Sequence, residues 1–93
     1  MAQFTYTLQD GRTVTANSKT RVYTHAVAVV GAKGGHGLLR QCQSEAAARK
    51  ALASKEMRDF AAYRVREAEL NREAGVETPS DAGRLYLVEA VAS

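Results

Sequence analysis

His25, His36 and Cys42 are the side chains of this sequence best suited to nucleophilic or metal chemistry. A cysteine becomes a catalytic nucleophile when an imidazole lies within hydrogen-bond reach and accepts its proton. Strand pairing offers that arrangement here. Tyr23–Val30 is apolar on both alternating sets, and Leu38–Gln43 is long enough to return antiparallel to it. If residues 32–35 form a four-residue hairpin loop, Gly31 pairs with His36 and Cys42 falls opposite His25. Cross-strand Cβ atoms lie about 4.5–5.5 Å apart. The pattern supplies no third group to orient the histidine and no oxyanion donor. Cys42 therefore reads as a buried structural thiol on a strand, and a small cysteine-dependent enzyme is a distant alternative. A zinc site built from His25, His36 and Cys42 is one ligand short and lacks paired close spacings. Neither a metal nor a cofactor is expected.

The run Val29-Val-Gly-Ala-Lys-Gly-Gly-His-Gly37 raises a second chemistry. A strand running into Lys-Gly-Gly resembles the deviant Walker A loop of the ParA/MinD-type ATPases. That loop continues with a second lysine and a serine or threonine, where this chain has Leu38 and Leu39. It therefore lacks a cation for the terminal phosphates and a hydroxyl for magnesium. The glycines read instead as a hairpin loop that needs positive φ. Lys33, Gly34, Gly35 and His36 at its tip are candidate binding residues, because binding side chains favour loops held on rigid scaffolds.

These residues need elements to hold them. Phe4, Tyr6 and Leu8 alternate with polar residues, then Val14 and Ala16 alternate again after Gln9-Asp10-Gly11. A three-residue loop pairs Tyr6 with Val14 and Phe4 with Ala16, and puts Gly11 where a left-handed backbone is required. Tyr23–Val30 is expected as the central strand, with Tyr23, His25, Val27 and Val29 on one face. Val27 and Val29 offer bulk to a helix, and the small Ala26 and Ala28 let something approach closely on the other face. Ser44 is a good N-cap, and Glu45 to Ala74 contains no Gly or Pro. Leu52, Phe60, Tyr63 and Leu70 fall on one helical stripe, flanked by Met57, Ala61 and Ala68. Gly75 closes the helix as a left-handed cap. Leu85–Val91 reads as a last strand with Leu85, Leu87 and Val91 on one face.

The helix is too long for the sheet. Thirty helical residues span about 45 Å, whereas a strand of six to eight residues spans about 20–27 Å. A break at Ser54, acting as a second N-cap, is expected, and both pieces could then fold onto one sheet. A continuous helix would instead overhang and expose its stripe. Phe60, Tyr63 and Leu70 are accordingly the candidate interface of a two-fold dimer.

With 93 residues, 45% hydrophobic and 25% charged, the chain suits one domain spanning residues 1–93. A lone cysteine permits no intrachain disulfide. No apolar run reaches membrane-spanning length, and the opening Met-Ala-Gln-Phe-Thr-Tyr does not look like a secretory signal. A cytoplasmic protein is expected. The net charge is +3, with its basic excess in the first 43 residues. That excess makes nucleic-acid binding the alternative function. In a meander, however, Arg12 and Lys33 fall at one end of the sheet and Lys19 and Arg21 at the other, whereas phosphates call for one track.

Two stretches carry a family resemblance: Arg21-Val-Tyr-Thr-His-Ala-Val-Ala-Val29 and Ser44-Glu-Ala-Ala-Ala-Arg-Lys-Ala51. With the order hairpin, strand, glycine-rich turn, return strand and capped helix, residues 4–53 resemble short uncharacterised proteins encoded by tailed phages. The resemblance implies an accessory role in the host cytoplasm, through binding host or competing-phage components. The expectation is thus an α+β domain of about five antiparallel strands, in chain order β-β-β-β-α-β, packed against one long or broken helix. Its expected role is non-enzymatic protein binding.

Overall fold

The computed structural model describes residues 2–92. Strands β1 (Ala2–Thr7) and β2 (Thr13–Ser18) form the first hairpin. Tyr6 faces Val14 and Phe4 faces Ala16, as the apolar alternation requires. The Leu8 amide donates to the Arg12 carbonyl at 2.8 Å and Gly11 takes φ 88°. The loop is Gln9-Asp10-Gly11, with its left-handed residue at the glycine.

Strands β3 (His25–Val30) and β4 (His36–Cys42) form the second hairpin, and its turn departs from the sequence expectation. The Gly31 amide donates to the Gly35 carbonyl at 2.9 Å, and Gly34 has φ 100°. The loop is therefore three residues, Ala32-Lys33-Gly34, of the same form as the first. Val30, not Gly31, faces His36. A one-residue slip exchanges faces, so His36 and Leu38 point opposite to the way a four-residue loop would aim them. The register then shifts: Ala28 faces Leu38 but Val27 faces Arg40, leaving Leu39 as the extra residue of a β-bulge. The bulge cancels the shorter loop, and His25 does face Cys42.

The helical stretch breaks at Ser54. Ser44 Oγ accepts from the Ala47 amide at 3.0 Å and starts α1 (Glu45–Leu52). Ser54 Oγ accepts from the Met57 amide at 3.3 Å and starts α2 (Lys55–Glu73). At the far end Gly75 (φ 82°) donates to the Arg72 carbonyl and Val76 to the Asn71 carbonyl. Those two bonds are the Schellman pattern that ends a helix on a left-handed glycine. The chain order is thus β-β-β-β-α-α-β, with two helices in place of one.

Strand β5 (Leu85–Ala92) inserts between β1 and β3, giving the antiparallel order β2-β1-β5-β3-β4. This corrects the expected centre: β3 is an inner strand, but β5 is the middle one. It also removes the meander, since β2 and β3 do not pair. The sheet curls. On its concave face Phe4, Tyr6 and Leu8 pack with Ala26, Ala28, Val30, Tyr86 and Val88. Tyr6 Oη donates to Gln41 Oε1 at 2.8 Å, joining β1 to β4 across two intervening strands. The close approach permitted by Ala26 and Ala28 is filled by the sheet's own aromatic residues. On the convex face Val27 and Cys42 pack against Ala48 and Ala51 of α1 and Met57 of α2. Tyr23 precedes β3 and packs on the concave side, its ring edge-on to Phe4 at 5.8 Å, not with Val27 as strict alternation implied.

Among the described residues, α1 and Met57 in the first turn of α2 pack on the convex face, while the rest of α2 is not part of that cluster. The inward side of α2 carries Met57, Ala61 and Ala68, the residues that flank the stripe in sequence. A Cβ on Gly83 would stand 2.7 Å from the Ala61 carbonyl oxygen, so the loop entering β5 presses against this side. Phe60, Tyr63 and Leu70 are left 43%, 62% and 51% exposed. Val91, expected with Leu85 and Leu87, lies beyond the helix layer and is exposed. Among the described residues no helix is long and apolar enough to cross a membrane.

Candidate functional site

Three places hold the residues singled out by the sequence. The first is the end of the sheet where the two hairpin loops meet. Asp10 Oδ1 accepts from the Arg12 amide at 3.1 Å, and Oδ2 accepts from the His36 amide at 3.2 Å. These amides hold the Asp10 carboxyl below its ordinary range. His36 Nδ1 lies 2.6 Å from Tyr86 Oη, which also accepts from the Gln9 amide at 3.2 Å. Arg84 stacks over the Tyr86 ring at 5.2 Å and donates to Gln9 Oε1. His36 is thus the first residue of β4, turned onto Tyr86 by the short loop. Of the tip residues, Lys33 and Gly35 are exposed, and the Arg12 guanidinium lies beside Gly35. Among the described residues Lys33 has no hydrogen-bond or ion-pair partner, and it stands on a base fixed by Asp10 and Tyr86. Neither Asp10 nor Tyr86 was singled out as a partner of this loop. The signal for both is the face of His36, which depends on a one-residue difference in loop length.

The second place is the His25–Cys42 pair. Cys42 is buried and its thiol is pushed up by that burial, against a smaller opposing effect of Arg40. His25 Nδ1 is 2.8 Å from Thr24 Oγ1. A nucleophilic pair wants a thiol stabilised as thiolate. Here the register brings the residues opposite each other while burial favours the neutral thiol.

The third place is the outer side of α2. Phe60, Tyr63 and Leu70 follow one another along the helix and lie away from Met57, Ala61 and Ala68. Arg64 stacks on the Tyr63 ring at 5.3 Å, and Lys55 pairs with Asp59 at 2.9 Å. The row is interrupted by Glu67 between Tyr63 and Leu70, and among the described residues it is only partly covered.

No family model matches the sequence, and no curated protein or solved structure matches it either. What the structure defines is a small α+β domain with a curled antiparallel sheet and two helices.

Proposed function

We propose that this protein is a non-enzymatic binding module that docks a protein partner on α2. The observation that carries the reading is the exposed row Phe60, Tyr63 and Leu70. Large apolar side chains set in a charged rim are the usual make-up of a docking surface. A second copy presenting the same stripe is the simplest partner, since two-fold dimers are the commonest homo-oligomers. On the resemblance to short phage proteins, a heterologous partner would be a host or competing-phage component. Lys33, Gly34, Gly35 and His36 then form a second, smaller contact at the sheet end.

Light scattering at micromolar concentration tests the self-association. A mass near twice the 10.0 kDa of one chain, falling to one chain in Phe60→Glu/Leu70→Glu, supports the dimer. Capture of a lysate protein by the wild-type chain, lost in the same variant and kept in Lys33→Ala, supports a heterologous partner on α2. A single-chain mass at every concentration, with captured proteins unchanged by the double substitution, overturns the reading.

The alternative of a nucleic-acid-binding accessory protein draws on Arg12, Lys33 and Arg84 at the loop end. Acidic groups stand among them: Arg12 lies 4.0 Å from Asp10 and Arg84 3.4 Å from Asp81. That interleaving weakens a phosphate track. Salt-dependent retention on heparin would favour this alternative.

A further inference from the structure

A groove of about 400 Å³ runs along the end of β4. Residues 40–43 form one wall, Ala47, Lys50 and Ala51 of α1 a second, and Arg21 and Tyr23 a third. The position of the void follows from the first wall. Gln41 belongs to the concave face, where it meets Tyr6, whereas Cys42 packs on the convex face and Arg40 reaches Glu56 of α2 at 2.7 Å. Touched by consecutive residues that point to opposite faces, by α1 and by the chain leading into β3, the space lies at the C-terminal end of β4 beside its outer edge. That edge is open, because β4 ends the sheet and pairs only with β3. An unpaired edge presents a row of amides and carbonyls that can template another strand. Of the lining residues, Arg40 to Cys42 belong to β4 and span about 10 Å at 3.3 Å per residue, enough to pair with two or three residues of an incoming chain.

The charges around the groove select the incoming chain. Arg21, Arg40 and Lys50 line it, with no acidic residue among the lining. Arg40 is held by Glu56, but among the described residues neither Arg21 nor Lys50 has an ion-pair partner. Tyr23 is the one aromatic ring among the lining, half-buried and in edge-to-face contact with Phe4, so the groove carries no row of aromatic faces for bases to stack on. Single-stranded nucleic acid uses such faces.

We propose that this groove binds an acidic peptide segment in extended form, which adds to β4 as a sixth strand with its carboxylates on Arg21 and Lys50. Strand addition draws affinity from main-chain hydrogen bonds and specificity from the flanking side chains. This surface is separate from the outer side of α2, so it goes beyond the binding reading above and stands or falls without it.

The test uses a fluorescein-labelled hexapeptide of alternating glutamate and valine. Its counterparts carry lysine in place of glutamate, or a central proline. Binding is followed by anisotropy, and the site by amide shifts in a nitrogen-15 spectrum of the full chain. The glutamate probe should shift the amides of residues 40–43 and bind at least tenfold tighter than the lysine and proline probes. Arg21→Glu/Lys50→Glu, both at solvent-exposed positions, should lose at least tenfold for the glutamate probe and gain for the lysine probe. Phe60→Glu/Leu70→Glu should bind the glutamate probe as the wild type does, which separates this site from α2. Equal binding of glutamate and lysine probes overturns the proposal, as do shifts confined to other strands. A labelled hexathymidylate that binds the groove more tightly than the glutamate probe overturns it in favour of nucleic acid. Failure of the peptide to bind while the chain doubles its mass through β4 overturns it in favour of edge-to-edge pairing.

Discussion

Tyr6 holds the curl together at the scale of one residue. Its ring is fully buried, yet its hydroxyl reaches Gln41 across the concave face. Burial, with smaller contributions from Tyr23 and Cys42, raises its pKa from 10.0 to about 12. A group whose folded pKa lies above its unfolded value stabilises the fold fully below the unfolded value. That stability is lost as pH rises through the folded one. The domain should therefore weaken between pH 10 and about 12 as this proton is forced off. Tyr6→Phe has no proton to lose. It should cost about 1 kcal/mol at neutral pH through the missing hydrogen bond, and its stability should fall less steeply in the alkaline range. Urea midpoints measured across that range check this, and parallel slopes for the two proteins would refute it. Asp10 sits at the opposite extreme of pH. Its carboxyl is depressed, so the link it makes from the first loop to the His36 amide is kept until the medium is strongly acidic.

Among the elements, Gly83 joins the two halves of the helix–sheet contact. Its φ of 87° suits glycine, and a Cβ there would press on the Ala61 carbonyl and on Val65. Backbone on that side cannot yield without moving α2. Gly83→Ala should cost more than about 2 kcal/mol, combining left-handed strain with the clash. At roughly 4–8 °C per kcal/mol for a domain this size, the melting temperature should drop by about 10 °C or more. A melting temperature within a degree or two of wild type would show that α2 is not tied there. The elements themselves were largely legible. Alternation gave the first hairpin, with Tyr6 opposite Val14, and the two serine caps gave the helix starts. The second turn was not legible, because Ala32 to Gly37 offers three glycines, any of which can take positive φ. Only the Leu39 bulge, which has no local signature, reconciles the shorter loop with Cys42 facing His25. The stripe on α2 was visible as a pattern, and its residues Phe60, Tyr63 and Leu70 are exposed. Large apolar residues suggest burial, yet the side of α2 that meets the loop at Gly83 carries Ala61 and Val65. The groove beside β4 could not be seen without the strand order, because that order decides which edge is free.

On the scale of the whole molecule, the sheet consists of two hairpins whose backbones are paired to one another through β5. The molecule's principal extents are 45 × 25 × 17 Å. β1 bonds to β5 on one side and β3 bonds to β5 on the other. A chain ending at residue 83 should keep hairpin-level order at most and show no cooperative melting. Mixing it with a synthetic peptide of residues 84–92 should restore the transition, read by circular dichroism and by the near-ultraviolet signal of Tyr6 and Tyr86. A fragment that melts cooperatively without the peptide would contradict this account. The same insertion sets a timetable during translation. Both hairpins and both helices leave the ribosome before the strand that joins them, so neither half of the sheet can commit to the other while the nascent chain is short. An interrupted message would yield a product with two unzipped flanks for β5, a form that proteases and chaperones meet as incomplete. The segment that carries β5 therefore decides whether two separate hairpins become one sheet.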